Sequence, residues 1–182
     1  PAGIAIPIEK AFAESSHIWF AKAVPACGWK AVDDAIGRIG FREGLTLAAC
    51  GAYSFGTKAG VVPELYATPN RLAYLGFGQG DLLLTPVHIA AMTATIANDG
   101  AYAPLHLEKG RASAPRTIWS RAVARRVKAL MRQSVLSGTS KGVELRGLEV
   151  CGKTGTAENS GRDHAWFTCF APAEKPEIVI TV

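Results

Sequence analysis

Apolar positions recur at helical spacing in separate stretches over the first three quarters of the chain and give way to strand-like runs after Gly138. Residues 7–12 open like a helix, with Pro7 at the start and Glu9 early, where the helix dipole favours an acid. Ser15-Ser16-His17 interrupts that pattern. Ile18-Trp19-Phe20, Ala21, Ala23 and Val24 then resume it as far as Pro25. A further helix fits 29–39, where Ala31, Val32, Ile36 and Ile39 share one face and Gly40 supplies the stop. Residues 41–75 carry many Gly, Pro, Tyr and Thr with no sustained period. They read as a long irregular excursion, of the kind that lines or covers a site. After the glycine turn Gly76-Phe77-Gly78-Gln79-Gly80, Thr85-Pro86 is a strong helix start, an N-cap hydroxyl followed by Pro at the first helical position. Val87, Ala90, Ala91, Ala94 and Ala97 trace an apolar stripe that ends at Asn98-Asp99-Gly100. Ser120 caps another amphipathic helix, with Val123, Val127, Leu130 and Met131 expected inward and Arg121, Arg125, Lys128 and Arg132 outward.

Three strand-like runs follow, at 148–157, 164–171 and 177–182. Asn159-Ser160-Gly161 separates the first two and Pro172 to Pro176 the last two, the pattern of an antiparallel meander. Helices first and strands last imply an α+β fold. The expected organisation is one partial domain, a mainly helical lobe with loops over 1–147 and antiparallel strands over 148–182. Cys151 and Cys169 would face each other if the hairpin were centred on Ser160, and a one-residue slip would part them.

Composition narrows the choices. Of 182 residues, 48% are hydrophobic and 19% charged, which excludes a disordered or low-complexity chain. No apolar run approaches the ~18–20 residues of a membrane-spanning helix. The net charge of +5 is spread over single basic residues, with Arg125-Arg126 and Lys128 densest. A solvated helix face explains that cluster better than a polyanion site, and no nucleic-acid-binding motif accompanies it. Four cysteines without a CxxC pair fit neither a disulfide scaffold nor a zinc site. The absence of an initiator Met and the stop inside the apolar run at 178–182 suggest a piece of a longer polypeptide.

The sharpest chemical feature is Gly152-Lys153-Thr154-Gly155-Thr156 on the first strand of the meander. A strand lysine beside glycine and two hydroxyls makes a small cationic shelf. It offers an ammonium, two rotatable O–H donors and backbone N–H groups that a ligand can approach closely. Such a shelf suits a carboxylate, and one N–H can face a developing oxyanion. A phosphate-binding glycine loop is the competing reading of Gly-Lys-Thr; it loses because the surrounding pattern is that of a strand.

These residues, taken with others in the same order, resemble the transpeptidase domain of penicillin-binding proteins, most like the monofunctional class B enzymes. Glu14-Ser15-Ser16-His17-Ile18-Trp19-Phe20 looks like the family's Ser-x-Asn segment. Gly78-Gln79-Gly80 through Thr85-Pro86 and Ile96-Ala97-Asn98-Asp99-Gly100 are similar to its central stretch. Gly138-Thr139-Ser140-Lys141-Gly142, then 152–158, then His164-Ala165-Trp166-Phe167 with Phe170-Ala171-Pro172 resemble its closing signature. The resemblance implies a partial β-lactamase/transpeptidase-like fold and serine acyl transfer on D-Ala-D-Ala stem peptides, a reaction that β-lactams imitate. By the same resemblance Ser15 would relay protons to the leaving group and Lys153 would set the electrostatics around the serine hydroxyls. His17 would contact the substrate amide. Thr154 and Thr156, with Gly155 between them, would grip the terminal carboxylate, and the Thr156 N–H would form half the oxyanion hole. No metal or organic cofactor is implied. The expected partners are stem peptides, β-lactams and other cell-wall synthesis proteins, with a membrane anchor in an N-terminal part and the catalytic domain outside the cytoplasmic membrane.

Two departures stand out. No Ser-x-x-Lys occurs anywhere in the chain, so the nucleophile and its base are expected in polypeptide outside it, and the fragment alone is expected to be inactive. His17 stands where the family usually has Asn; imidazole donates one hydrogen bond and accepts one, as the amide does, but is bulkier and titrates near neutrality. A serine β-lactamase-like hydrolase and a catalytically degenerate penicillin-recognising scaffold remain the alternatives.

Overall fold

A computed structural model describes residues 6–48, 54–63, 68–107, 109–110 and 113–182. Three helices lead the chain, α1 Ile8–Ala13, α2 His17–Cys27 and α3 Trp29–Ile39. Ser16 caps α2 by accepting from the Trp19 N–H at 3.4 Å, and Gly40 ends α3 in the left-handed region. Pro25 lies within the last turn of α2.

The stretch 41–75 is more ordered than its composition suggests. Strands β1 Thr46–Ala48 and β2 Ser54–Gly56 pair antiparallel, and α4 spans Pro69–Gly76; residues 49–53 and 64–67 of the excursion lie outside the described residues. The Thr68 hydroxyl accepts from the Arg71 N–H and Pro69 takes the first turn, the same start signal as at Thr85-Pro86. Helix α4 buries a single side chain, Leu72, against Ile36 and its neighbours, so no apolar period announces it. A Cβ at Gly76 would sit 2.6 Å from the Phe20 carbonyl oxygen, so the end of α4 is seated directly on α2.

Helix α5 (Pro86–Ala97) begins at a capping box in which Thr85 accepts from the His88 N–H. It is enclosed on more sides than an alanine stripe implies: Ala91 and Ala97 are buried, and so are His88, Thr93, Thr95 and Ile96. The short pair β3 Ala101–Tyr102 and β4 Arg116–Thr117 follows, then α6 Arg121–Ser137. Two expectations for α6 change. Val123 is 51% exposed, and the inward face is Ala124, Leu130, Met131, Ser134 and Val135. Lys128 and Arg132 are not solvated, with side chains 16% and 20% exposed, because acids on neighbouring segments draw them in. Lys128 meets Asp99 at 2.9 Å, and Arg132 donates to Glu144 at 2.8 Å.

The chain closes with β5 Cys151–Ala157, β6 His164–Ala171 and β7 Ile178–Thr181, antiparallel in the order β5-β6-β7. Cys169 pairs with Gly152 and Cys151 with Phe170, so the hairpin takes the slipped register and both thiols are free. One sheet face carries Cys151 and Phe170 against Ile96, Ala97 and Met131, which locks the meander onto α5 and α6. Phe167 and Cys169 belong to the opposite face with Val150 and Ala171, and a Cβ at Gly152 would lie 2.9 Å from the Phe167 ring. Hydroxyls tie α5 to the sheet as well: Thr93 bonds Thr168 at 2.8 Å, and Thr168 bonds Thr181 at 2.8 Å.

Candidate active site

The turn between α1 and α2 carries the first site residue. Ser15 sits in the left-handed region at φ 53, with its N–H bonded to Phe12 and that of Ser16 bonded to Ala11. A non-glycine residue there costs energy that surrounding contacts must hold in place. Those contacts come from residues far along the chain. Lys153, on β5, donates from Nζ to Ser15 Oγ and to the Thr154 carbonyl at 2.8 Å. Ser15 Oγ lies 3.4 Å from Thr139 Oγ1, and Thr154 donates to that same Thr139 oxygen at 2.7 Å. One ammonium and three hydroxyls thus form a continuous hydrogen-bonded cluster where α1, the turn after α6, and β5 converge.

Burial pushes the Lys153 ammonium below its ordinary pKa, because a charge partly withdrawn from water is disfavoured. The Phe12 ring lies 5.8 Å from Nζ, close enough for a cation–π contact that favours the charged form. Lys153 therefore releases its proton more readily than a solvated lysine does. A group of that kind can hold an anion or pass a proton along the Ser15 hydroxyl.

Thr139 was not singled out from the sequence as a site residue, although it stands at the centre of the cluster. Its signal was the small-residue turn after α6. Gly138 packs so closely on α1 that a Cβ there would lie 2.2 Å from the Ala13 carbonyl oxygen, and the Thr139 N–H bonds that oxygen at 2.9 Å. The turn brings Thr139 to Ser15 by docking on the end of α1.

Of the other candidate residues, His17, Gly155 and Thr156, the first and last are linked to the 76–80 turn. His17 is exposed at the first position of α2, and its ring stacks on Phe77 with centroids 5.0 Å apart and planes 14° off parallel. Gln79, two residues on, donates from Nε2 to the Thr156 carbonyl at 3.1 Å. Gly155 and Thr156 are exposed on β5, an edge strand of its sheet. Neither Phe77 nor Gln79 was assigned a role from the sequence. Gly147 and Gly152-Lys153-Thr154 also match a phosphate loop letter by letter, yet 151–157 is an extended strand running into a hairpin. No helix N-terminus follows to receive a phosphate.

Two cavities flank the shelf. One of ≈ 550 Å³, bordered mainly by apolar side chains such as Phe12, Met92, Ile96, Trp119 and Met131, has Lys153 and Thr154 in its wall. The second, of ≈ 420 Å³, runs between Phe77, Leu83 and Ile89 on one side and Thr156, His164 and Trp166 on the other. Among the described residues no group of His, Cys, Asp and Glu is arranged to hold a metal ion, and no helix is long and apolar enough to cross a membrane.

Comparison with known proteins points to one family. The family model described as penicillin binding protein transpeptidase domain matches residues 3–182. Over 128 residues the chain is 34% identical to the peptidoglycan D,D-transpeptidase PbpA of Mycolicibacterium smegmatis, covering 61% of this chain and 26% of that relative. Over 180 residues it is 27% identical to the peptidoglycan D,D-transpeptidase FtsI of Escherichia coli, covering 93% and 29%. Among solved structures, penicillin-binding protein A from M. tuberculosis, as its imipenem acyl-enzyme complex, superposes with a TM-score of 0.83 at 25% identity, covering all of this chain and 44% of that one. The chain therefore spans less than a third of the curated relatives named here and less than half of that structure.

Proposed function

The chain belongs to the family of penicillin-binding protein transpeptidase domains, and from that premise we propose that it forms part of a peptidoglycan D,D-transpeptidase, contributing two of its three active-site motifs. The observation that carries this reading is the bond from Lys153 Nζ to Ser15 Oγ, which joins two motifs 138 residues apart at one cleft. In this reading the terminal carboxylate of a stem peptide, or the equivalent acid of a β-lactam, rests on the Thr154 and Thr156 hydroxyls beside the Lys153 ammonium. The Thr156 N–H donates to the oxygen of the attacked carbonyl. Gly155 allows the ligand to approach the strand. Ser15, bonded to Lys153, passes a proton toward the leaving amine, and the lowered pKa of Lys153 supports such a transfer. His17 contacts the substrate amide from the start of α2. Thr139 holds Ser15 and Thr154 in common register.

The acylated serine and its lysine base come from residues outside these 182, in which no Ser-x-x-Lys occurs. The chain is thus one part of a transpeptidase domain, 1–147 supplying a mainly helical lobe and 148–182 the strands. The whole protein is held at the membrane by a separate segment, works outside the cytoplasm on stem peptides, and meets other cell-wall synthesis proteins there.

Labelling the full-length protein with a fluorescent penicillin tests this. Wild type should form a stable stoichiometric adduct, and Lys153→Met should acylate at least ~100-fold more slowly, the usual scale for losing a positioned proton-transfer group. The basic limb of the acylation profile should fall below the ordinary lysine pKa, because the role of the ammonium is lost as pH rises through its lowered value. Rapid turnover of the adduct would identify a β-lactamase-like hydrolase instead. Absence of any adduct in the intact protein would leave a degenerate scaffold, the reading that His17 in place of Asn favours.

A further inference from the structure

Resting on the reading above, in which the Thr156 N–H faces the attacked carbonyl oxygen, we propose that Gln79 is a positioning residue that fixes the direction of that N–H by anchoring the carbonyl of the same residue. In an extended strand the N–H and C=O of one residue point to the same side. The Thr156 carbonyl points away from β6, because Gln79 Nε2 reaches it at 3.1 Å from the open edge of β5. The N–H therefore points out of that edge as well, on a peptide whose other end, the Gly155 carbonyl, faces Trp166 of β6. The peptide that carries it begins at Gly155, the residue type with the softest backbone torsions. The ladder holds this peptide at its Gly155 end, and Gln79 holds the following peptide from the open side, so the bond fixes the torsions of Thr156 between them.

Gln79 is suited to stop that motion because its own backbone is tightly held. Its N–H bonds the Tyr74 carbonyl at 3.0 Å, and the Gly78 N–H bonds Leu75 at 3.0 Å. Gly78 and Gly80 supply the left-handed residues on either side of it, at φ 76 and 81. Phe77 is stacked on His17 and 5.6 Å from the Tyr74 ring, and Gly76 is pressed on Phe20 and Val24 of α2. The 76–80 turn is thereby joined to the helix that begins at His17, and Gln79 reaches from that turn to β5. A carbonyl partner requires the amide NH₂ end of Gln79, so an isosteric carboxylate cannot replace it when ionised.

The test uses the full-length protein and its Gln79→Ala and Gln79→Glu variants. It measures the limiting acylation rate by a penicillin, the affinity of a boronic acid that forms a tetrahedral adduct on the nucleophile, and the non-covalent affinity of a peptide ending in D-Ala-D-Ala. Deleting an oxyanion donor outright costs about 10²–10³-fold, so letting one drift should lower the limiting rate and the boronate affinity together by about tenfold in both variants. Peptide affinity and melting temperature should stay at wild-type values. Unchanged acylation would overturn the proposal. So would faster acylation, which would make the amide a blocker of the strand edge, and so would an equal loss of peptide and boronate affinity, which would make it a wall of the site. A wild-type protein that penicillin fails to acylate would overturn the functional reading, and this inference with it.

Discussion

Gly138 is where a single methyl group should act on both stability and the site. Its backbone is extended, at φ −110, so alanine is allowed there by its torsions, and the whole effect must come from contact. The added Cβ would lie 2.2 Å from the Ala13 carbonyl oxygen, 2.7 Å from its carbon and 2.9 Å from its Cα. Restoring an ordinary separation requires the turn after α6 and the end of α1 to part by roughly 1 Å. The Thr139 N–H to Ala13 bond then lengthens and Thr139 withdraws from Ser15, two residues past Ala13. Overpacking of this kind costs about 1–3 kcal/mol and the lost hydrogen bond about 1 more, so Gly138→Ala should destabilise by ~2–4 kcal/mol. At the usual 2–4 °C per kcal/mol for a domain of this size, calorimetry on the full-length protein should show the melting temperature of this domain falling by roughly 5–15 °C. Penicillin acylation should slow by about 100-fold, the usual penalty for a displacement of about 1 Å at a reacting group. Gly37→Ala is the control. It lies within α3 with nothing within 4 Å of its added Cβ, so it should stabilise by ~0.5–1 kcal/mol and leave acylation unchanged. Wild-type melting and acylation in Gly138→Ala, or similar losses in Gly37→Ala, would refute the reasoning.

Three other outcomes follow from the packing. Thr168→Val should destabilise more than Thr93→Val when compared by denaturant unfolding: it takes the Thr168 partner from a Thr93 hydroxyl that is 0% exposed. Thr93→Val leaves Thr168 bonded to Thr181, so the two costs should be about 1–3 and ~1 kcal/mol. Asp99 is held below the ordinary carboxylate range, first by its hydrogen bond from Lys128 and then by the charges of Lys128, Arg125 and Arg121, so its contribution is present above pH ~4 and lost as pH falls through the lowered value. Asp99→Asn should therefore cost about 1 kcal/mol at neutral pH and give a shallower loss of stability on acidification than wild type. Burial raises the Cys151 thiol to about 11, so peptide mapping after iodoacetamide treatment at pH 8 should find the exposed Cys27 alkylated and Cys151 spared.

Local signals in the sequence account for much of the architecture. The bounds of α3, the caps at Thr85 and Ser120, and the helices-then-strands order that makes the fold α+β are each set by residues within a turn or two of one another. Helix α4 shows the limit of that rule, since Thr68-Pro69 marks its start but only Leu72 is buried along it, and its place is decided by Gly76 on α2. Residue type and spacing likewise put Lys153, Thr154 and Thr156 together on one strand, and β5 carries all three. Tertiary structure alone decided which groups meet. It chose the hairpin register that separates Cys151 from Cys169, drew Lys128 and Arg132 inward to acids on other segments, placed Thr139 between Ser15 and Thr154, and set Gln79 on the Thr156 carbonyl. Backbone propensity and capping depend on neighbours along the chain and leave a local trace. Contacts between residues 77 or 138 positions apart depend on how whole faces of helix and sheet fill space together, and no short stretch of sequence encodes that.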